Sequence, residues 1–286
     1  MPVSSQSVGL QLPGRTLTVT TRMALAYAAG IGETSQICCD DARSDFLAHP
    51  AICTRLEWLL VSQSRSRVLG LSTTEALRAV HAGQATRFLQ PIHADAQVSI
   101  AGQIVEVRST RAGALVGTQI TLADAATGAL LTSTRSRAVY RGVPVLGEDR
   151  ALTATETDEA GADQGLPESI RVELHPNFPH IYTECADIWN PIHTERRAAE
   201  AAQLPGIIVH GTALWALAGR ELTRCYAPGR PDRLRSLAGR FSAMVLAGEP
   251  ITVNHGLDKH AGRIRFSVLN ASGAVAVSHG VADFDG

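Results

Sequence analysis

The sequence predicts an α+β fold made of two halves that repeat the same order of features. Segments in one half are echoed in the other, and in each half helical signals come before segments that alternate like β-hairpins. The length of 286 residues is also near the size at which a single hydrophobic core stops growing. These observations together favour a duplicated fold over one large domain.

The echo is clearest at two phenylalanines that open similar segments. FLQPIHADAQVSI begins at Phe88 and FSAMVLAGEPITV begins at Phe241. Each is followed by two alternating segments, joined by a tight turn at Gly128 in one half and at Gly273 in the other. Alternation with a period of two is typical of half-buried strands. We therefore interpret both regions as antiparallel hairpins, at equivalent places in two copies of one fold within the chain.

A long helix is predicted from His210 to Tyr226, with apolar residues around most of its circumference. Such a helix needs a sheet that wraps around it, and strands are expected after it at 236–246, 250–253, 263–270 and 274–284. In the first half, helices are expected at 46–61 and 73–81. A buried helix followed by a curved antiparallel sheet is the hot-dog arrangement, so the sequence predicts a double hot-dog fold.

An acidic stretch that is rich in Ala, Thr and Gly divides the chain near its middle. Its composition is that of a linker. We therefore expect an N-terminal domain at 1–145, a linker at 146–168 and a C-terminal domain at 169–286.

Composition excludes several classes of function. The formal net charge of −1 lacks the basic excess that nucleic-acid binders show. The sequence holds no apolar run long enough for a membrane span and begins without a secretory signal pattern, so a cytoplasmic protein without membrane contact is expected. The five cysteines and the histidines lack metal-ligand spacing, so we expect no metal and no cofactor.

The segment that carries chemistry is YTECADIWNPIHTERRAAEAAQLPGIIVHGTALWALAGREL, from Tyr182 to Leu222. It resembles the signature of the MaoC-like, or (R)-specific enoyl-CoA hydratase, family, in which Asp-x-Asn-Pro-x-His precedes a His-Gly helix start. The resemblance implies a lyase of fatty acid metabolism, with Asp187 and His193 catalytic. The first half resembles the non-catalytic, substrate-shaping domain of two-domain members. The residues expected to bind substrate are Tyr182, Asn190, His210, Gly211 and Thr212.

Hydration of an enoyl thioester needs a proton taken from water and a proton given to the α-carbon, which suits a carboxylate and a histidine around one water. Backbone N–H groups near His210 would stabilise the developing enolate at the start of the predicted helix.

The sequence departs from the family's motif at one position. In the family the Asp precedes the His by five positions, and Ile188 occupies that position here. Asp187 would reach the site only if a bulge in an extended strand absorbed one residue. Otherwise Glu184 or Tyr182 would have to complete the site.

Two alternatives remain open at this point. One is a hot-dog thioesterase, and the other is an acyl-thioester-binding relative whose catalysis is altered because the motif Asp is displaced. The expected partner is a thioester of CoA or of an acyl carrier, and the sequence leaves a homodimer open.

Overall fold

The computed structural model describes residues 1–152 and 165–285, so the central part of the predicted linker lies outside the described residues. The helices are α1 (Thr21–Gly30), α2 (Gln36–Cys39), α3 (Cys53–Leu59), α4 (Arg65–Val68), α5 (Thr73–Ala76), α6 (Phe178–Ala186), α7 (Arg196–Ala201) and α8 (Gly211–Tyr226). The strands are β1 (Val3–Ser4), β2 (Gln11–Thr18), β3 (Ala79–Phe88), β4 (Gln97–Thr110), β5 (Gly113–Asp124), β6 (Leu130–Arg141), β7 (Val145–Leu146), β8 (Arg150–Ala151), β9 (Glu168–Val172), β10 (Leu234–Phe241), β11 (Ile251–Asp258), β12 (Arg263–Leu269) and β13 (Val275–Phe284).

The chain forms two compact units, each built from more than one segment. The first contains Met1–Thr18, Leu56–Gln90 and residues 97–152, and the second contains Val19–Arg55, Pro91–Ala96 and residues 165–285. The predicted domain limits, 1–145 and 169–286, stay predictions. The compact units differ from these limits because two segments of the first half pack with the second unit.

The first unit is an antiparallel sheet with the strand order β2-β4-β5-β6-β3. The helical stretch that begins with α3 continues through a π-helical turn at Leu60–Ser64 into α4, and the π-helical turn packs on β2 and β4. Gly102 in β4 faces Leu60 so closely that a Cβ atom there would clash with the leucine side chain. The absence of a side chain at Gly102 thus lets the helix press onto the sheet.

The second unit repeats this plan with the strand order β9-β11-β12-β13-β10. Helix α8 packs against β10, β11 and β13, and all but its ends are buried. Each strand of this sheet has a counterpart in the first unit at the same place in the order. The α+β double hot-dog fold that the sequence predicts is therefore confirmed.

Two pairs of echoed sequence positions are buried in both halves, whereas Phe88 is buried and Phe241 is half-buried. Ile92 and Val98 in the first half are buried, as are Val245 and Ile251 in the second. Val98 lies in β4 and Ile251 in β11, which hold the same place in the two strand orders, so this part of the repetition corresponds to equivalent strands.

The helix predicted at 73–81 is wrong in its second part. Helix α5 ends at Ala76, and Ala79 already begins β3, which pairs with β6. A capping box between Ser72 and Glu75 supports the short helix locally. Pairing along the whole length of β6 then outweighs the helical spacing of the residues that follow. In the second half, the predicted helix and strands are confirmed, although β10 ends at Phe241 rather than at residue 246.

Among the described residues, no helix is both long enough and apolar enough to cross a membrane.

Candidate active site

His193 ends a short 3₁₀ turn, Pro191–His193, that the Asn190 side chain caps by accepting from the Ile192 N–H at 3.5 Å. Asn190 thus shapes the turn. The His193 Nδ1 lies 2.8 Å from the carbonyl oxygen of Ile208. Because a carbonyl can only accept, Nδ1 carries the proton and Nε2 keeps its lone pair. Burial lowers the pKa of His193 to about 4, so the ring is a neutral base near pH 7.

His210 precedes α8 as its N-cap residue and stacks on His193, with 3.7 Å between ring centroids and 25° between ring planes. Its Nε2 lies 3.1 Å from the Ile188 carbonyl oxygen and 3.2 Å from Thr183 Oγ1. The carbonyl therefore assigns the His210 proton to Nε2. Burial, together with the neighbouring His193, lowers the pKa of His210 well below its ordinary value. Both rings are neutral and have defined tautomers.

The N-terminus of α8 supplies hydrogen-bond donors beside the histidines. The first backbone hydrogen bonds of the helix run from Ala213 and Leu214 to the His210 carbonyl. The N–H groups of Gly211 and Thr212 precede them, at the positive end of a 16-residue helix. A Cβ atom at residue 211 would contact the Phe241 ring at 3.2–3.4 Å, so glycine allows this ring to pack closely against the first turn of the helix. The arrangement suits an oxygen that gains negative charge.

Tyr182 forms a fully buried wall of the site from helix α6. Its ring centroid lies 5.0 Å from that of His210 and 6.2 Å from that of Tyr27 in α1. Burial raises the pKa of Tyr182, while the hydroxyls of Thr212 and Thr54 act in the opposite direction. The phenol is therefore neutral. The structure thus brings four of the predicted site residues together: Tyr182, His193, His210 and Thr212.

Asp187 has a different setting from the one the sequence suggests. It does not lie on an extended strand with a bulge: it ends α6 in the left-handed conformation, with φ 52° and ψ 36°. Its side chain is 67% exposed and lies 3.7 Å from the guanidinium of Arg55. That geometry corrects the expected local structure because helix α6 extends through the motif up to residue 186. The catalytic role of Asp187 stays a prediction.

Glu184, the other carboxylate considered, is exposed. It lines an open groove of about 570 Å³ on the outer face of α6, together with Asn177, His180, Ile181 and Cys185. Among the described residues, no group of three or more His, Cys, Asp or Glu side chains is placed to hold a metal ion.

Sequence reasoning missed three residues that contact the site residues or the end of α6. Thr183 contacts His210, Arg55 donates from Nη1 to the Cys185 carbonyl at 2.7 Å, and Tyr27 packs on Tyr182. Tyr27 occupies a place in the first half comparable to that of Tyr182 in the second, and this echo is a signal in the sequence that could have drawn attention to Tyr27. Nothing in the local pattern marks Thr183 or Arg55.

Family models match both halves of the chain. Residues 168–266 match the model described as "MaoC like domain", and residues 6–130 match "FAS1-like, dehydratase domain region". The chain is 24% identical over 256 residues to "3-hydroxyacyl-thioester dehydratase Y" of Mycobacterium tuberculosis, an alignment that covers 88% of this chain and 87% of that protein.

A more similar but shorter match is to "Fatty acid synthase subunit beta" of Aspergillus oryzae, 42% identical over 74 residues. These residues are 26% of this chain, which spans only 4% of the length of that synthase subunit.

Two solved structures share the fold. A MaoC-like dehydratase from Phytophthora capsici superposes with a TM-score of 0.82 at 20% identity, covering 98% of this chain and 96% of that one. A Mycobacterium tuberculosis protein described as having a double hotdog fold superposes with a TM-score of 0.60 at 14% identity, covering 96% and 95%.

Proposed function

This chain belongs to the MaoC-like dehydratase family, and from this premise we propose that it interconverts trans-2-enoyl and (R)-3-hydroxyacyl thioesters. The single observation that carries the proposal is the His193 ring, whose Nδ1 proton is held by the Ile208 carbonyl. Its Nε2 is thereby available as a neutral base, beside the N-terminus of α8.

In the hydration direction, His193 Nε2 removes a proton from water as the water oxygen bonds to the β-carbon. The double-bond electrons move toward the thioester carbonyl, whose oxygen becomes an enolate. The N–H groups of Gly211 and Thr212 stabilise this oxygen, because they are preorganised donors at the positive end of a helix. A proton is then returned to the α-carbon. In the dehydration direction, the same steps run in reverse.

The substrate-binding roles follow from the same placement. Tyr182 and His210 form the wall behind the reacting atoms, and Asn190 holds the turn that aims His193. The carrier of the acyl group is proposed to be CoA or an acyl carrier protein. A cytoplasmic location and a homodimeric assembly are also proposals, and both come from the sequence. The expectation that Asp187 is the second acid/base group comes from the sequence alone, and its exposed side chain beside Arg55 makes that role a question for substitution.

A second candidate is a protein that binds acyl thioesters without hydrating them. The exposed, left-handed placement of Asp187 favours this candidate, because its carboxylate lies beside Arg55 and is not buried as the His193 ring is. A thioesterase has no comparable observation in its favour.

The test is hydration of enoyl-CoA esters of several chain lengths, followed through the ultraviolet absorbance of the conjugated thioester. We expect His193→Asn to lower kcat by at least the ~10²-fold typical of a lost acid/base group. Calorimetric binding of the same esters by wild type, without an absorbance change, would instead identify a binding protein. Release of free thiol would identify a thioesterase.

A further inference from the structure

We infer that His193 is the one acid/base group of this site, because Ile188 fills the place of the family's carboxylate and Asp187 is instead the left-handed cap of α6. The inference rests on the proposed function, which it refines to a mechanism in which one imidazole both removes and returns the proton. It assigns Asp187 to the cap of α6, and Arg55 to the contacts around that cap, rather than to catalysis.

The first supporting observation is the hydrogen-bond pattern at the end of α6. The N–H groups of Asp187 and Ile188 both donate to the Thr183 carbonyl, and Asp187 has a left-handed backbone. The bond from Ile188 back to Thr183 defines a Schellman motif, in which the residue after the left-handed one packs an apolar side chain inward. Ile188 does so, with 2% of its surface exposed. Asp187 and Ile188 are therefore parts of a regular helix ending, and Ile188 is not a residue bulged out of an extended strand.

The second observation is where the two side chains lie. The left-handed conformation turns the Asp187 carboxylate outward to Arg55, whose guanidinium also binds the Cys185 carbonyl near the end of the helix. Aspartate tolerates this conformation better than most residues with a Cβ atom. Ile188, by contrast, has a buried side chain, and its carbonyl oxygen lies 3.1 Å from His210 Nε2.

The third observation is the environment of His193. Within the described part of the chain, its ring bonds to the Ile208 carbonyl and stacks on His210. Burial lowers the pKa of His193 to about 4, against the opposing effect of the bond to the Ile208 carbonyl, and no carboxylate of the described residues is among the causes of the shift. A neutral imidazole stacked on a second neutral imidazole is thus the arrangement that the fold provides.

The reaction balances with one group. His193 Nε2 accepts a proton from water as the carbon–oxygen bond forms at the β-carbon and the π electrons become the enolate. The imidazolium then gives the same proton to the α-carbon, the enolate returns to a thioester, and His193 is neutral again. Because one atom of His193 handles the proton, hydrogen and hydroxyl add to the same face of the double bond.

The decisive variant is Asp187→Gly, since glycine keeps the left-handed cap and removes only the carboxylate. We expect kcat for enoyl-CoA hydration within about threefold of wild type and an unchanged or higher melting temperature. Asp187→Ala is the matched control, and it should lower the melting temperature because alanine lacks the short polar side chain that lets aspartate tolerate the left-handed conformation. A loss of ~10²-fold or more in Asp187→Gly would overturn the inference.

A second experiment tests Ile188 without relying on turnover. Ile188→Asp, compared with the neutral Ile188→Asn, should raise the pKa of His193 by about one unit or more, measured by NMR titration of the imidazole. Asp187→Asn should leave that pKa unchanged. Equal pKa values of His193 in the two Ile188 variants would contradict the inference that residue 188 faces this histidine. A lowered pKa of His193 in Asp187→Asn would show that the Asp187 carboxylate acts on it.

The two proposals fail in different ways. Wild-type protein that hydrates no enoyl thioester refutes the proposed function, while the His193 titrations still decide which of residues 187 and 188 faces the site. If the Ile188 variants do not fold, the pair Asp187→Gly and Asp187→Asn tests the inference alone, through kcat and the His193 titration.

Discussion

At the scale of the residue, the site is defined by two neutral imidazoles whose protons are assigned by backbone carbonyls. Ile208 holds the proton of His193 on Nδ1, and Ile188 holds that of His210 on Nε2. A carbonyl cannot change from acceptor to donor, so each tautomer is set by the main chain. The low pKa of His193 follows from burial and makes its conjugate acid a strong proton donor.

The pH dependence of catalysis should reflect this burial. His193 must be neutral to accept a proton from water, so kcat/KM should stay level from pH 8 down to about pH 5 and fall around its pKa of about 4. An ordinary histidine would lose activity near its unperturbed pKa of about 6.5. Rates measured with buffers of constant ionic strength check this, and an acid limb near 6.5 would contradict the buried, neutral ring.

The same histidines make folding sensitive to acid. Their pKa values are lowered in the native state, so the unfolded chain binds protons first as the pH falls below about 6.5. The stability that they contribute is present above that pH and is lost as the pH falls toward the native pKa of His193, about 4. Denaturant unfolding of wild type and His193→Gln between pH 7.5 and 4.5 should show a smaller loss in the variant.

At the scale of the element, helix α6 carries residues of the candidate site and ends at the cap formed by Asp187. It carries Tyr182 and Thr183. The Thr183 carbonyl accepts hydrogen bonds from the N–H groups of Asp187 and Ile188, and the Thr183 hydroxyl contacts His210. One short helix thereby sets the position of a site wall, of a histidine and of the chain that leads to His193. Packing of α1 on α6 adds Tyr27 to the same wall.

Thr183→Val tests this connection. The valine keeps the shape and removes the hydroxyl, so His210 retains only its Ile188 bond. We expect a loss of about 1 kcal/mol of stability and a several-fold lower kcat with an unchanged KM. Thr183→Ser restores the hydroxyl and should restore kcat. A kcat that stays low in the serine variant would contradict a positioning role for the hydroxyl.

At the scale of the whole molecule, the two units share one strand order but differ in the chemistry of their interiors. The first unit buries Glu57, whose carboxylate accepts from Gln84 at 2.9 Å and from Thr134 at 2.5 Å. Burial raises the pKa of Glu57 to about 7, against the opposing effect of these two bonds. The second unit holds the histidine pair instead. The same fold thus buries a carboxyl group with a raised pKa in one unit and the stacked histidine pair in the other.

Glu57→Gln should therefore stabilise the protein in a pH-dependent way. The native pKa of Glu57 lies above that of the unfolded chain, so its contribution is full below about pH 4.5 and is lost as the pH rises through about 7. The glutamine stays neutral throughout. We expect the variant to be more stable than wild type at pH 8 and about equally stable at pH 5, measured by denaturant unfolding. An equal difference at both values would contradict the raised pKa.

The sequence by itself determined the duplicated double hot-dog fold and the neighbourhood of Tyr182, His193 and His210. Apolar periodicity and turn residues are local properties, and a forty-residue motif brings its own turns and helix start. These predictions agree with the structure because, in such segments, the neighbours of a residue along the chain are also its neighbours in space.

Only the tertiary structure decided that Asp187 faces Arg55, that the Ile188 side chain is buried, and that Val19–Arg55 packs with the second unit. A shift of one residue at the end of α6 could be resolved in the sequence either as a bulge or as a helix cap. The choice depends on the hydrogen bonds back to Thr183 and on Arg55, which lies far away along the chain. Such long-range partners leave no local pattern, because the contact, and not the composition around it, selects the conformation.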